Sequence, residues 1–244
     1  MKKVALVTGV GKGIGRSIAK ALIEEGYFVM GADLDVDAGM QLAEEVKKSR
    51  FAFAVADISK ENDVLALFRK LMRKCGRLDA LVNNAGIIRD NLILNMSADD
   101  FDKVIGVNLR GTWLMCREGA RIMKEQQSGR IVNIASRAWL GNKGQSNYSA
   151  SKAGVVALSR VLALELGKYN VHVNTVAPGL IDTPLTRQLR KDVLDKLIEA
   201  QPTKTMGRPE DVASAVSFLL SDKAGFITGQ TIYVDGGKSI GAGI

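Results

Sequence analysis

Seven short strand-forming runs recur along this chain, separated by segments with a helical period. The runs are Val4–Val7, Tyr27–Met30, Phe51–Val55, Asp79–Val82, Arg130–Ile134, Val171–Val176 and Gln230–Val234. Val4–Val7 is continuously apolar, as expected of a strand buried on both faces of a parallel sheet. Helical spacing is read at Ile14, Ile18, Ala21 and Leu22, and over Val36–Lys48, Asp63–Lys74, Phe101–Lys124 and Tyr148–Leu166. This alternation predicts an α/β architecture: a doubly wound, seven-stranded parallel sheet with helices on both faces. No linker, low-complexity run or internal repeat divides the 244 residues, so residues 1–244 are expected to form one domain.

The first run ends in Thr8-Gly9-Val10-Gly11-Lys12-Gly13-Ile14-Gly15, and a helix follows. Strand, Gly-rich turn and helix together bring backbone N–H groups and a helix N-terminus against a pyrophosphate. Asp33 closes the second run, twenty residues past Gly13, where a carboxylate can bond an adenosine ribose. The competing reading of Asp33 is a solvated turn residue. Asp33 would repel a 2′-phosphate and so favours NAD over NADP, whereas Lys12 would pair with that phosphate. Asp33 carries more weight, because desolvating a carboxylate beside a phosphate is costly. Asp57 and Ile58 lie just past the third run, at the strand end where ligands bind in such sheets. Asn83-Asn84-Ala85-Gly86 follow the fourth. Their amides and small side chains suit close approach of a flat ligand, and equally suit strand-end capping.

Between Ser136 and Lys152 the chain reads SRAWLGNKGQSNYSASK. Lys152 follows Tyr148 by four residues, so on a helix the two share a face. A cation beside a phenol favours the phenolate and lowers its pKa. Tyr148 could then exchange the proton of a hydroxyl that is becoming a carbonyl, with Ser136 bonded to the same oxygen. A Tyr four residues before a Lys arises by chance about 0.3 times in a chain of this composition, so the surrounding motifs decide. Asn108 sits inside a helical stretch, where an Asn is usually exposed or locally bonded. His172, the one histidine, alternates with valines and reads as a packed strand residue.

Several classes are excluded or disfavoured. Cys75 and Cys116 are the only cysteines, so buried free thiols are expected rather than a disulfide framework or a zinc site. The apolar stretch after Met1 stops at Gly9, too short for a signal peptide. No run approaches the roughly 18 residues of a membrane span, so the chain is expected in the cytoplasm. Net charge is +8. The densest cluster, Arg69, Lys70, Arg73, Lys74 and Arg77, fits the solvated face of one helix. It lacks the interleaved aromatics of a nucleic-acid surface. An anionic small substrate remains compatible with the charge. Thr183 to Ala200 is amphipathic and follows Pro178-Gly179, so a substrate lid is expected around residues 183–205. Small residues Ala150, Ala153, Gly154 and Ala157 line one helix face and suit contact with a second copy.

These motifs together resemble the short-chain dehydrogenase/reductase family, with its single-domain Rossmann fold, over essentially the whole chain. The resemblance assigns Gly9, Lys12, Gly13, Ile14 and Gly15 to the cofactor turn. It assigns Asp33 and Leu34 to the adenosine ribose, and Asp57 and Ile58 to adenine. Asn83-Asn84-Ala85-Gly86 match the family's sheet-stabilising motif, with Asn84, Ala85 and Gly86 expected at the cofactor. Pro178, Gly179, Ile181 and Thr183 belong to the nicotinamide side. Asn108, Ser136, Tyr148 and Lys152 match the catalytic tetrad. By resemblance Tyr148 is the general acid/base, Lys152 lowers its pKa and binds the nicotinamide ribose, Ser136 positions the substrate oxygen, and Asn108 holds a relay water. NAD(H) is expected as the preferred cofactor, NADP(H) as the second, and a homotetramer as the assembly. Arg89-Asp90, Asn142-x-Gly-Gln-x-Asn-Tyr148, Gly207–Val212 and Thr228–Gly237 look most like 3-oxoacyl-thioester reductases. The chain departs from them in three ways. Ser136 and Tyr148 are twelve residues apart, one fewer than is usual there. Gln127 and Tyr169 stand where carrier-docking arginines would be. Arg137 and Trp139 after the serine suggest an individual pocket. The expected activity is interconversion of a secondary alcohol and a ketone, with a 3-oxoacyl thioester as the leading substrate. A non-thioester alcohol, cyclic ones included, is the alternative, and a non-catalytic dinucleotide-binding regulator is the remote one.

Overall fold

The computed structural model describes residues 2–240. Along β1 (Val4–Thr8), Val4 and Leu6 enter one hydrophobic core while Ala5 and Val7 enter the other. Period-2 geometry sends successive side chains to opposite faces, and here both faces are covered. The other strands are β2 (Phe28–Asp33), β3 (Phe51–Val55), β4 (Ala80–Asn83), β5 (Gly129–Ile134), β6 (Val171–Pro178) and β7 (Thr231–Val234). All pair in parallel, in the order β3-β2-β1-β4-β5-β6-β7. The winding reverses between β1 and β4, which opens a crevice at the carboxyl ends of those strands.

One face is covered by α1 (Gly13–Glu24), α2 (Val36–Glu45) and α8 (Pro209–Leu220), which bury Ile18, Leu22, Leu42, Val216 and Leu220. The other is covered by α3 (Glu61–Cys75), α5 (Thr112–Gln126) and α6 (Ser146–Leu166), with Leu67, Leu71, Leu114 and Ala163 in its core. The doubly wound sheet expected from the sequence is therefore present. Among the described residues no helix is long and apolar enough to cross a membrane.

Several local expectations needed correction. The stretch Phe101–Lys124 is not one regular helix: α4 (Ala98–Ile105) passes through a π turn at Gly106–Gly111 into α5. Asn108 in that turn is buried rather than exposed, and its carboxamide bonds the backbone of Ile87 instead of its own helix. π turns of this kind often mark functional sites. The second helix stops at Glu45, because Val46 is extended, and a separate 3₁₀ turn spans Lys48–Arg50. α8 was not anticipated as a helix. Its start carries readable signals: Pro209 at the first turn, and Asp211 Oδ2 accepting from Arg208 N at 2.7 Å. Gly154 on the small-residue face is used within the chain, since a Cβ there would lie 2.8 Å from Leu109 Cδ2. Arg69, Lys70, Arg73 and Lys74 are exposed as expected, but Arg77 is half-buried and pairs with Asp79. Cys116 is buried and Cys75 only half so.

Leu81 of β4 is fully buried between Leu6 of β1 and Ile131 of β5, its sheet neighbours. Leu81→Ala is expected to lower unfolding free energy by about 2–5 kcal/mol, read as a reduced urea midpoint with unchanged slope.

Candidate active site

The crevice at the reversal is a cleft of about 890 Å³ running along the strand ends. Its floor is set where β1 and β4 finish side by side. The Thr8 hydroxyl accepts from Asn84 N and Ala85 N, both at 3.1 Å, and Asn84 Nδ2 donates to the carbonyls of Thr8 and Gly9. Gly9 turns the chain at φ +71. A Cβ on Gly15 would stand 2.0 Å from Gly9 O, so only glycine lets α1 start this close to the strand end. α1 begins without a side-chain cap on its first N–H groups and without an acidic residue in its first turn. Those free donors and the helix dipole fit the pyrophosphate of a dinucleotide.

Asp33 at the end of β2 is held toward the turn: Oδ2 accepts from Gly11 N at 2.8 Å and Oδ1 from Asp35 N at 3.0 Å. Lys12 pairs with Asp35 at 2.7 Å, which raises the lysine's pKa and lowers that of Asp35 through their hydrogen bond. Asp57 bonds Ser59 through both its backbone N–H and its hydroxyl, an Asx-type turn that shapes the adjacent wall.

β5 delivers Ser136, whose Oγ accepts from Ala138 N at 3.1 Å and also faces the Tyr148 phenol. α6 places Tyr148 and Lys152 one turn apart, with the ammonium 5.6 Å from the ring centroid. Lys152 is buried and its Nζ donates to Ile134 O at 2.8 Å. Burial alone brings its pKa down to about 8. The expected lowering of the phenol's pKa by Lys152 does not prevail. Burial pushes Tyr148 up, the Ser136 hydrogen bond offsets part of this, and the nearby Asp90 carboxylate adds to the rise. Lys152 is not among the groups that move it, and desolvation of a phenolate sets the direction.

The cleft is lined by every expected site residue except Gly15 and Asn108. Gly15 lies beneath the turn. Asn108 lies behind Gly86, where an added Cβ would meet Asn108 Oδ1 at 3.1 Å and Lys152 Nζ at 3.5 Å. Asn108 thus adjoins Lys152 without facing the open cleft, and its Nδ2 also donates to Ser151 Oγ at 3.2 Å. Trp139 departs from expectation: it packs with Val155, Val156 and Tyr233 rather than lining the cleft. His172 bonds Arg130 at 2.9 Å and takes no part in the site.

A family profile described as enoyl-(acyl carrier protein) reductase, of the short-chain alcohol dehydrogenase type, matches residues 9–239. The chain belongs to the short-chain dehydrogenase/reductase family. It is 43% identical over 243 residues to a (2S)-[(R)-hydroxy(phenyl)methyl]succinyl-CoA dehydrogenase subunit of Thauera aromatica, covering 99% of this chain and 98% of that protein. It is 43% identical over 241 residues to a 3-oxoacyl-[acyl-carrier-protein] reductase of Staphylococcus epidermidis, covering 97% and 99%. The crystal structure of levodione reductase superposes with a TM-score of 0.93 at 36% identity, covering 99% and 98%. This short-chain dehydrogenase/reductase is therefore an oxidoreductase of the class that interconverts CH–OH and keto groups.

Sequence reasoning on the enzyme missed the cleft's outer wall. Gln145 lines it and donates from Nε2 to Asp90 Oδ2 at 2.8 Å. Lys238, past β7, lines it and donates to Ala200 O at 2.8 Å. Both sit in motifs quoted above or beside them, but neither has a local spacing that announces a wall residue.

Lys152 gives a stability test. Its folded pKa of about 8 lies below the usual 10.5, so the buried charge costs stability below about pH 8. That cost disappears as pH rises through 10.5, where the unfolded chain also loses the proton. The shift corresponds to about 3 kcal/mol. Relative to Lys152→Met, the wild type should gain up to about that much between pH 7 and 10.5 in urea denaturation.

Proposed function

We propose that the chain is an NAD(H)-preferring reductase of 3-oxoacyl thioesters, with Tyr148 as proton donor. The convergence of Ser136, Tyr148 and Lys152 on one cleft with Asp33 at its far end carries this reading. A nicotinamide dinucleotide held in the cleft would supply or accept the hydride of the substrate carbon. The Gly9–Gly15 turn and the open start of α1 would hold its pyrophosphate, and Asp33 its adenosine ribose. Ser136 orients the substrate oxygen, and Tyr148 gives its proton to that oxygen as the carbonyl becomes an alcohol. A phenol whose pKa burial raises is protonated at neutral pH, the form that reduction requires. Lys152 supplies a nearby cation that offsets charge left on the phenol. Asn108, bonded to Ile87 and adjoining Lys152, supports a proton path behind the ammonium.

The cofactor preference follows from three charges. Asp33, Lys12 and Asp35 sum to one negative charge, and Lys12 is already engaged by Asp35. A 2′-phosphate would meet that net charge. Asp33→Ala should therefore raise kcat/KM for NADPH relative to NADH by about tenfold or more, a change of about 1.4 kcal/mol.

The substrate class is supported by the two 43%-identical relatives, one named for an acyl-carrier-protein thioester and one for a CoA thioester. The levodione reductase likeness favours the second reading, a cyclic ketone substrate. The residues around α7 (Lys191–Glu199), none of them buried in that helix, would act as the lid over 183–205 of a single domain. Exposed Val161, Leu164, Phe218 and Phe226 support a homotetramer, and a cytoplasmic setting accords with the free cysteines. Turnover of acetoacetyl-CoA against a panel of cyclic ketones with NADH decides between substrates; activity on ketones alone would remove the thioester assignment. Tyr148→Phe should lower kcat by about 10²–10⁴-fold while NADH still binds, measured by fluorescence titration.

A further inference from the structure

The cleft is divided by charge. Its lining carboxylates, Asp33, Asp35 and Asp57, stand at the ends of β2 and β3. Across the reversal, on the side of β4, β5 and β7, the lining carries Arg89, Arg137, Lys238 and Lys152, the last bonded to Ile134 O, and no carboxylate. Lys238 is engaged by Ala200 O. Asp90, close to Tyr148, is bonded by Gln145. The guanidinium groups of Arg137 and Arg89 have no hydrogen-bond or ion-pair partner among the described residues. Arg137 is half-buried, and an Arg removed from water ordinarily takes a partner. Its planar fork matches a carboxylate in two parallel hydrogen bonds. It is also the next residue after Ser136, and both line the same cleft, so an anion held by Arg137 shares that space with the reacting oxygen. The cofactor's pyrophosphate belongs instead at the Gly9–Gly15 turn, on the other side of the cleft.

We propose that Arg137, backed by Arg89, receives a carboxylate on the substrate's own acyl chain, a few carbons from the carbon that exchanges hydride. This rests on the thioester reading and narrows it to oxoacyl or hydroxyacyl thioesters with a second, anionic end. The phosphates of CoA or a carrier arm lie beyond the pantetheine linker, too remote for a residue adjoining Ser136.

The test compares chains that differ only in that end. Binding of adipyl- and hexanoyl-N-acetylcysteamine thioesters to the NAD⁺ complex is measured by calorimetry. Turnover is measured with 3-oxoadipyl- and 3-oxohexanoyl thioesters of N-acetylcysteamine and of CoA. The wild type should favour the carboxylate-bearing member of each pair by about tenfold or more, chiefly in Kd and KM. Arg137→Gln should bring the ratio close to one and Arg137→Lys should restore part of it. Lys143→Gln, an exposed cation outside the cleft, should leave the ratio as it is. A wild-type ratio near one, a ratio unmoved by Arg137→Gln, or an equal loss in Lys143→Gln overturns the proposal. So does a preference that separates CoA from N-acetylcysteamine whatever the acyl chain. Turnover without carboxylate preference would sink the inference alone. Carboxylate preference in binding without turnover of any thioester would uphold the anion site and sink the reaction assignment.

Discussion

The ends of β1 and β4 are tied by one small polar cluster, and the site depends on it. Thr8 contributes a hydroxyl that accepts from two consecutive backbone amides, and Asn84 returns two hydrogen bonds to the carbonyls of Thr8 and Gly9. Parallel strands splayed by the reversal would otherwise leave these groups unpaired, at a cost of about 1–3 kcal/mol each. The cluster fixes where the chain turns into α1, and therefore where the free N–H groups of that helix point. Gly15 is the steric counterpart: any side chain there would strike both Gly9 O and Asn84 Nδ2.

From this cluster, buried polar contacts continue across the sheet and its helical layer. Asn83 Nδ2 donates to Asn133 Oδ1 at 2.8 Å, and Asn133 Nδ2 donates to Ser159 Oγ of α6 at 2.8 Å. Asn108 links the segment after β4 to Ser151, also on α6. The helix that carries Tyr148 and Lys152 is thus registered against β4 and β5 by hydrogen bonds as well as by apolar packing. Directional polar contacts in a low-dielectric core fix position more sharply than hydrophobic burial, which has no direction, although Asn83 Oδ1 stays without a partner among the described residues. The π turn at Gly106–Gly111 serves the same end. It reorients Asn108 inward at the cost of regular helix geometry, and Thr112 Oγ1 takes up the Asn108 carbonyl at 2.7 Å.

Much of this was legible from local spacing. Gly9, Gly13, Asp33 at the end of the second strand and the Tyr148–Lys152 pair are all set by short-range spacing, and all reached one cleft. What was not legible depends on distant partners. Nothing near Asn108 in sequence announces Ile87, twenty-one residues away, as its partner. Lys12 reads as a free cation until β2 brings Asp35 beside it. Trp139 follows Ser136 closely in sequence, yet the 3₁₀ turn Arg137–Leu140 carries it into the packing of α6 and leaves Arg137 on the cleft. The phenol's pKa was misread for a related reason: the Tyr148–Lys152 spacing is visible in sequence, but the burial that raises the phenol's pKa is a property of the assembled wall.

The upward shift at Tyr148 and the downward shift at Lys152 have a common origin, and together they change how the pair works. Burial penalises phenolate and ammonium alike, so each group is driven toward its neutral form. With Lys152 near 8, a neutral amine is within reach of physiological pH. In the reaction proposed above, the proton given up by Tyr148 would be replaced through the ammonium and the polar groups behind it, without a stable phenolate accumulating. A pair tuned only by mutual attraction would hold two charges and resist that transfer. Desolvation moves the two pKa values apart, the phenol's upward from 10.0 and the ammonium's down to about 8, so a proton passing from the ammonium to a phenolate runs downhill. In this chain, burial sets the direction of both shifts while the cation stays 5.6 Å from the ring centroid.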